Sequence, residues 1–386
     1  MDDSKMRIDT RLIHAGEPTP RIEGAVSMPI FQSSTFEYRG ESDYHALRYI
    51  RLNNTPNHVA LHRKLAAVEA AEDALVTASG MAAVSATLLT LLGSGDHLIL
   101  QDCLYGGTHD LLTTEFPRLG IEYTLVDGNA PASWPAALRS TTRAVYFESI
   151  SNPLNRVADL KAGIRFARAH GLSAIIDNTF TSPINFRPAT LGFDLSIHSG
   201  TKYLNGHSDI VAGAVIGRRE LISRINRTMA HLGGSLDPHA CFLLHRGLKT
   251  LALRVRHQNE SALRIARFLA AHPKIAAVNY PGLETHPDYA RARELFDGCG
   301  GVLSFELKGG VAAADTLIRT MRLPISAPSL GGVESLITRP ATTSHSGMSA
   351  AARARAGIAD GLVRLAVGLE APEDLVDDLG AALAQV

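Results

Sequence analysis

Residues 173–202 read SAIIDNTFTSPINFRPATLGFDLSIHSGTK, and two short apolar runs within them, 174–176 and 195–197, set the class of fold. Each run is too short for a helix and apolar throughout, the pattern of a strand buried on both faces. Each ends in polar chemistry: the first in Asp177-Asn178-Thr179, the second in His198-Ser199-Gly200-Thr201-Lys202. Five more runs of this kind lie around them, at 74–77, 98–100, 123–126, 144–147 and 212–216. Helical stretches separate several of them, most clearly 158–170, which stops at Gly171 as a helix C-terminus should. Apolar strands alternating with helices predict an α/β domain on a large, mostly parallel sheet.

Working outward, residues 58–71 carry Val59, Leu61, Leu65 and Val68 at near-helical spacing. The forty residues at the start have no sustained period and contain Pro18, Pro20, Gly24 and Pro29, so an extended arm is expected. After Asp237-Pro238 a single long helical stretch is expected over 241–271. Strands at 275–279, 302–307 and 362–367 follow, with helices near 312–319 and 372–384, which together make a smaller C-terminal α/β part. The expected division is an arm over 1–52, a sheet domain over 53–240 and a C-terminal domain over 241–386.

Composition narrows the function. The 386 residues carry 38 Lys+Arg against 38 Asp+Glu, a balance that removes the field a nucleic-acid or anionic-membrane binder uses. Cys103, Cys241 and Cys299 lie far apart without a Cys-x-x-Cys pair, which argues against a disulfide framework or a zinc finger and for the reducing cytoplasm. The opening residues lack the apolar stretch of a secretion signal. Residues 74–95 are uncharged, but Ser79, Gly80, Ser85, Gly93 and Ser94 interrupt them, so no membrane span is expected.

In an open parallel sheet, ligands sit beyond the carboxyl ends of the strands. After the run 74–77 comes Ser79-Gly80-Met81 and then an apolar helix. Small residues opening a helix leave amides free for an anion such as a phosphate. No Gly-x-Gly-x-x-Gly or P-loop lysine supports dinucleotide or ATP binding. Asp177 and Lys202, at two other strand ends, could simply pair with each other, since structural ion pairs are common. They could equally belong to a pyridoxal phosphate site, which needs a lysine, an acid for the pyridine nitrogen, an aromatic ring to stack on and a phosphate cradle. Tyr105, in Leu104-Tyr105-Gly106-Gly107, and Ser79-Gly80-Met81 would complete that set. A carboxylate about 4 Å from a pyridinium is worth roughly 4 kcal/mol at an effective dielectric of 20, or about three pKa units. That suffices to keep the ring protonated as an electron sink.

The stretch Ser196-Ile197-His198-Ser199-Gly200-Thr201-Lys202-Tyr203-Leu204-Asn205-Gly206-His207 resembles the lysine motif of the Cys/Met-metabolism, or trans-sulfuration, family of pyridoxal-phosphate enzymes. The likeness extends from Thr10-Arg11-Leu12-Ile13-His14-Ala15-Gly16 to Leu365-Ala366-Val367-Gly368-Leu369-Glu370. It implies the fold type I of pyridoxal-phosphate transferases. By position, Lys202 resembles the Schiff-base lysine that then shuttles protons, and Asp177 the partner of the pyridine nitrogen. Tyr105 would stack on the ring and assist exchange of amines, while Gly80, Met81, Ser199 and Thr201 would hold the phosphate. Asn152, in Ser151-Asn152-Pro153, corresponds to an asparagine near the cofactor's phenolic oxygen and the substrate. Arg364 matches the arginine that forks onto the substrate carboxylate, and Ser329 a second position beside it. Tyr49 and Arg51 resemble a pair that reaches the neighbouring subunit's phosphate site, which implies dimers sharing active sites, assembled into a homotetramer.

The implied activity is carbon–sulfur lysis of the cystathionine β-lyase kind, giving pyruvate, ammonia and a thiol. Alternatives are γ-elimination or γ-replacement by a cystathionine γ-lyase, cystathionine γ-synthase or homoserine-ester sulfhydrylase. A protein that holds the cofactor without turnover is disfavoured by the presence of both Lys202 and Arg364. Three departures bear on substrate. Ile50 replaces the usual serine between Tyr49 and Arg51, Gly107 stands where methionine γ-lyases have cysteine, and Pro328 where many cystathionine γ-enzymes have glutamate. His198 and His207 are expected to pack or hydrogen-bond, since no metal-binding spacing surrounds them. Gly206-His207-Ser208-Asp209 fails as a nucleophile elbow at Ile210, and Cys103 reads as an apolar filler.

Overall fold

The computed structural model describes residues 5–386. Seven strands form the large sheet: β1 Asp73–Thr77, β2 His97–Gln101, β3 Glu122–Val126, β4 Thr142–Glu148, β5 Ser173–Asp177, β6 Leu195–Ser199 and β7 Gly213–Gly217. Their order is β1-β7-β6-β5-β4-β2-β3. Only β7 runs against its neighbours, pairing antiparallel with both β1 and β6. All seven strands fall where the apolar runs put them. The reversed direction of β7 does not show in its side chains, which are buried on both faces as in β2 and most of β4, whereas the edge strand β3 is largely open to solvent.

Neighbouring side chains on a strand point to opposite faces, and both faces are covered. Ile175 and Ile176 are each 0% exposed. Ile175 packs with Val84 and Leu88 of the helix Gly80–Leu91, whereas Ile176 packs with Ile164 and Phe147 under the helix Leu160–Ala169. Burial of a side chain this size contributes roughly 1.5–3 kcal/mol, which accounts for the run of aliphatics. Asp159 starts the second of these helices by accepting the Ala162 amide at 2.9 Å.

The C-terminal sheet contains β8 Ile275–Asn279, β9 Val302–Leu307, β10 Ile325–Ser326, β11 Leu336–Thr338 and β12 Leu362–Ala366, in the order β10-β11-β12-β9-β8. The long helical stretch is broken in two, Pro238–Leu248 and Leu251–Ala271. Arg254 explains the break: its guanidinium takes the Gly247 carbonyl at 2.8 Å and the Tyr203 carbonyl at 2.8 Å. It thereby ties the break to the residue after Lys202. Gly206, at φ +76°, is required on both counts, since a Cβ there would come within 2.0 Å of Arg254 Nη1. The helix Pro238–Leu248 packs Leu244 and Leu248 with Leu61 and Leu65, so it lies against the large sheet domain across the expected 240/241 division.

The beginning of the chain departs from the expected extended arm at one element. Ile8–His14 is helical and seats Leu12 against the helix Pro56–Glu69. Lys64, wholly buried, donates to the Leu12 carbonyl at 2.8 Å, and Glu17 meets His245 at 3.0 Å and Lys249 at 2.9 Å. Beyond this anchor the segment is extended, with Val26, Tyr38 and Tyr44 exposed.

Candidate active site

A cavity of about 680 Å³ opens at the carboxyl ends of β1, β4, β5 and β6, closed on its far side by C-terminal residues. It gathers Gly80, Met81, Tyr105 and Asn152, then Asp177, Ser199, Thr201 and Lys202, and from the C-terminal part Ser329 and Arg364. Tyr49 and Arg51 do not reach it. They line a separate cavity of about 390 Å³ in the arm, where Arg51 donates to the Ala230 carbonyl at 3.1 Å and lies over the Tyr49 ring.

One end of the site suits an anion. Ser79 caps the helix Gly80–Leu91 by accepting the Ala82 amide at 3.0 Å. The amides of Gly80 and Met81 in the first turn have no intrahelical partner, and the helix dipole adds positive potential there. Gly80 packs so closely on Ser199 that an added Cβ would come within 3.0 Å of the serine Cβ. The Thr201 hydroxyl is fixed by accepting the Ala212 amide at 3.0 Å.

The floor carries two carboxyls, Asp177 closing β5 and Glu148 closing β4, paired in register. Burial raises the Asp177 pKa, and the Thr179 amide, donating to Oδ1 at 2.9 Å, only partly opposes this. No ion pair joins Asp177 to Lys202 among the described residues, so the simple structural pairing is not what the chain builds. Glu148 was missed in the sequence, although it ends an apolar run as Asp177 does. Its Oε1 accepts the Tyr105 amide at 2.5 Å. The Tyr105 ring itself is 44% exposed at the cavity, with its edge over Gly107.

The opposite wall carries the cations. Lys202 Nζ donates to Ser329 Oγ at 2.6 Å. Burial, and then the nearby Arg364 charge, bring the amine down to about 8, so a substantial fraction is neutral near physiological pH. Arg364 is 3% exposed and donates to Asn152 Oδ1 at 3.1 Å and to the Ser329 carbonyl at 2.9 Å. Its Nε is buried without a partner. Ser329 is held at φ +93°, a strained conformation for a residue with a Cβ, and such strain clusters at functional sites.

The side groups match the bland readings. His198 is buried and joined to Glu69 at 2.5 Å, and His207 Nδ1 lies 2.8 Å from the Asn205 carbonyl. Burial pushes the Cys103 thiol up to about 11, far from a reactive thiolate.

Three features stand incomplete: a buried acid without a cation, a buried guanidinium nitrogen without an acceptor, and a tight anion cradle. A phosphorylated pyridinium supplies the cation and the anion, and an amino-acid carboxylate supplies the acceptor. Fold and site together define a pyridoxal-phosphate-dependent enzyme of fold type I.

The family described as Cys/Met metabolism PLP-dependent enzyme matches residues 9–384, and the chain belongs to it. The chain is 40% identical to an L-methionine gamma-lyase of Fusobacterium nucleatum, over 100% of both chains. It is 41% identical to a cystathionine beta-lyase of Lactococcus lactis, over 97% of this chain and 98% of that one. Among solved structures, a cystathionine gamma-lyase from Lactobacillus plantarum complexed with L-serine superposes with a TM-score of 0.93 at 37% identity. That match covers 98% of this chain and 99% of the other. No helix among the described residues is long and apolar enough to cross a membrane.

Proposed function

We propose that the protein is a carbon–sulfur lyase that releases a thiol from the β-carbon of a sulfur amino acid, most like cystathionine β-lyase. The observation that carries this is the contact of Lys202 with Ser329, whose carbonyl Arg364 holds. It brings a proton acceptor and a carboxylate anchor to one point, where the Cα of a bound amino acid would lie.

Arg364 takes the substrate carboxylate through Nε and its fork, with Asn152 and Ser329 fixing the guanidinium plane. Lys202 would hold the cofactor, and its amine, brought down to about 8, is placed to accept the Cα proton. Bound pyridoxal phosphate supplies the electron sink for the charge left on Cα. Asp177 would support that sink by keeping a proton at the ring nitrogen, while Gly80, Met81, Ser199 and Thr201 would bind the phosphate and Tyr105 would cover the ring. The Cα electron pair then closes a Cα–Cβ double bond as the sulfur leaves with the pair of its own bond and takes up, as a thiol, the proton that Lys202 had accepted; water hydrolyses the enamine product to pyruvate and ammonia.

Gly107 and Pro328 favour the β outcome over the γ alternatives, because neither supplies the thiol or the carboxylate that several γ-acting enzymes place there. A keto-acid assay on cystathionine tests it: pyruvate supports β-elimination, whereas 2-oxobutyrate means γ-elimination. Cystathionine formed from cysteine and an acylhomoserine means replacement.

The reading includes a homotetramer of dimers in which Tyr49 and Arg51 complete the partner's phosphate site. The separation of this half-buried pair from the chain's own site, and the exposed Tyr38 and Tyr44 around it, support that assembly. Three cysteines without a disulfide suit the cytoplasm.

A further inference from the structure

Glu148 is 4% exposed and borders the cavity beside Asp177. The two are register partners on neighbouring parallel strands, which lie about 4.8 Å apart, and both carboxyls turn to the cavity. Besides accepting the Tyr105 amide at 2.5 Å, Glu148 gives its own amide to Gln101 Oε1 at 3.0 Å. Gln101 in turn donates to the Cys103 carbonyl at 2.8 Å. The two side chains therefore pin both ends of the turn 103–105 to β4. Tyr105 follows that turn, so the direction of its ring depends on the clamp.

The charges around Glu148 are one-sided. Asp177 faces it from β5, Tyr146 stands two residues back on its own strand with its buried hydroxyl beside Asp177 and Thr108, and Cys103 lies on the turn. Lys202 and Arg364 are across the cavity, and His198 is on β6, engaged with Glu69. No cation forms an ion pair with Glu148 among the described residues. Two adjacent buried carboxyls cannot both ionise, so one keeps its proton. Burial, and then the Asp177 charge, push the Glu148 carboxyl well above the usual range.

We propose that Glu148 is a positioning residue: as the neutral acid of a Glu148–Asp177 carboxyl pair, it clamps the Tyr105 amide and so sets the Tyr105 ring over the cofactor's place. The pair's single negative charge is left on Asp177 for the ring nitrogen. This rests on the pyridoxal-phosphate reading above.

The test titrates pyridoxal 5'-phosphate into the full-length protein, Glu148→Ala and Glu148→Gln, following the visible band as a function of pH. Glu148→Ala weakens cofactor affinity about tenfold, the worth of one buried hydrogen bond. Glu148→Gln, an uncharged acceptor of the same shape, recovers that affinity and keeps the wild-type midpoint of the absorbance–pH curve. Wild-type affinity in Glu148→Ala overturns the clamp. A midpoint moved by about one pH unit or more in Glu148→Gln overturns the neutral acid. If Glu148→Ala does not fold, infrared spectra decide: a protonated-carboxyl stretch present in the wild type and lost in Glu148→Gln supports the proposal, and its absence from the wild type refutes it. A wild-type protein that takes up no cofactor would instead bring down the underlying pyridoxal-phosphate reading, and the proposal with it.

Discussion

Replacing Arg364 with lysine separates charge from geometry at the substrate end of the cavity. The guanidinium spends one Nη on Asn152 and the other on the Ser329 carbonyl, which leaves Nε and the remaining fork hydrogens for a carboxylate. A charge-assisted hydrogen bond contributes about 1.5–3 kcal/mol. Lysine keeps the positive charge but cannot serve two internal acceptors and a bidentate carboxylate at once. The loss of one substrate bond plus an unsatisfied internal acceptor comes to about 2–4 kcal/mol, or roughly 30- to 1,000-fold in kcat/KM. Steady-state kinetics on cystathionine measures this, with the visible band checking that the cofactor remains bound, since Arg364 lies away from the phosphate cradle. A variant within about threefold of wild type would refute the assignment, because no substrate carboxylate could then be using the fork.

Lys202→Ala is expected to bind pyridoxal phosphate only reversibly and to lose turnover; borohydride reduction and mapping of the labelled peptide check the attachment point. In the cofactor-free protein, Lys202 should react with an amine-directed reagent with a midpoint near 8, well below an exposed lysine, as peptide mapping across pH would show. Gly80→Val fills the space against Ser199, where a Cβ alone comes within 3.0 Å, and should weaken cofactor binding more than tenfold by spectral titration. Burial opposes ionisation of Glu17, but hydrogen bonds from His245 and Lys249 outweigh it and bring its pKa from an ordinary 4.5 to about 2. A depressed acid stabilises the fold above its unfolded pKa and loses that contribution as pH falls through the folded one. Glu17→Gln should therefore lower the melting temperature at pH 7, with the gap to wild type closing between about 4.5 and 2; a gap that does not depend on pH would show that the charge is irrelevant.

The inner strands of the large sheet were legible because a strand buried on both faces has little room for polar side chains, so they stand out as apolar runs; the edge strand β3, Glu122–Val126, is largely exposed and carries the weakest such signal. Direction leaves no such trace. The apolar residues of β7 would look the same in a parallel strand, and only its pairing with β1 and β6 reveals the reversal. The strands β10 and β11, two and three residues long, are too short for any periodic signal. The break at Lys249-Thr250 leaves only a weak local mark, Gly247 in the last turn of the first helix, while Arg254 holds it from farther along by reaching back to Gly247 and Tyr203. The helix Ile8–His14 is similar: seven residues gain little from propensity alone, and what holds them is Leu12 burying against a helix far along the chain.

The site was legible wherever the rule of polar residues at strand ends applied, and Gly80, Asp177 and Lys202 all line one cavity as that rule requires. Arg364 obeys a different rule. It sits mid-strand in β12, with Val363 and Leu365 on either side fully buried, where an arginine is costly unless something anionic repays its desolvation. Since Asn152 and the Ser329 carbonyl are neutral acceptors, the fold by itself leaves that positive charge uncompensated. A buried cation without an internal anion suits an anion that arrives with a ligand, so under the proposed function the position of one residue in an otherwise apolar strand would mark the substrate's carboxylate. Tyr49 and Arg51 lie beyond either rule. The place proposed for them in a partner's site would depend on a surface between two copies, and no periodicity within one chain encodes that.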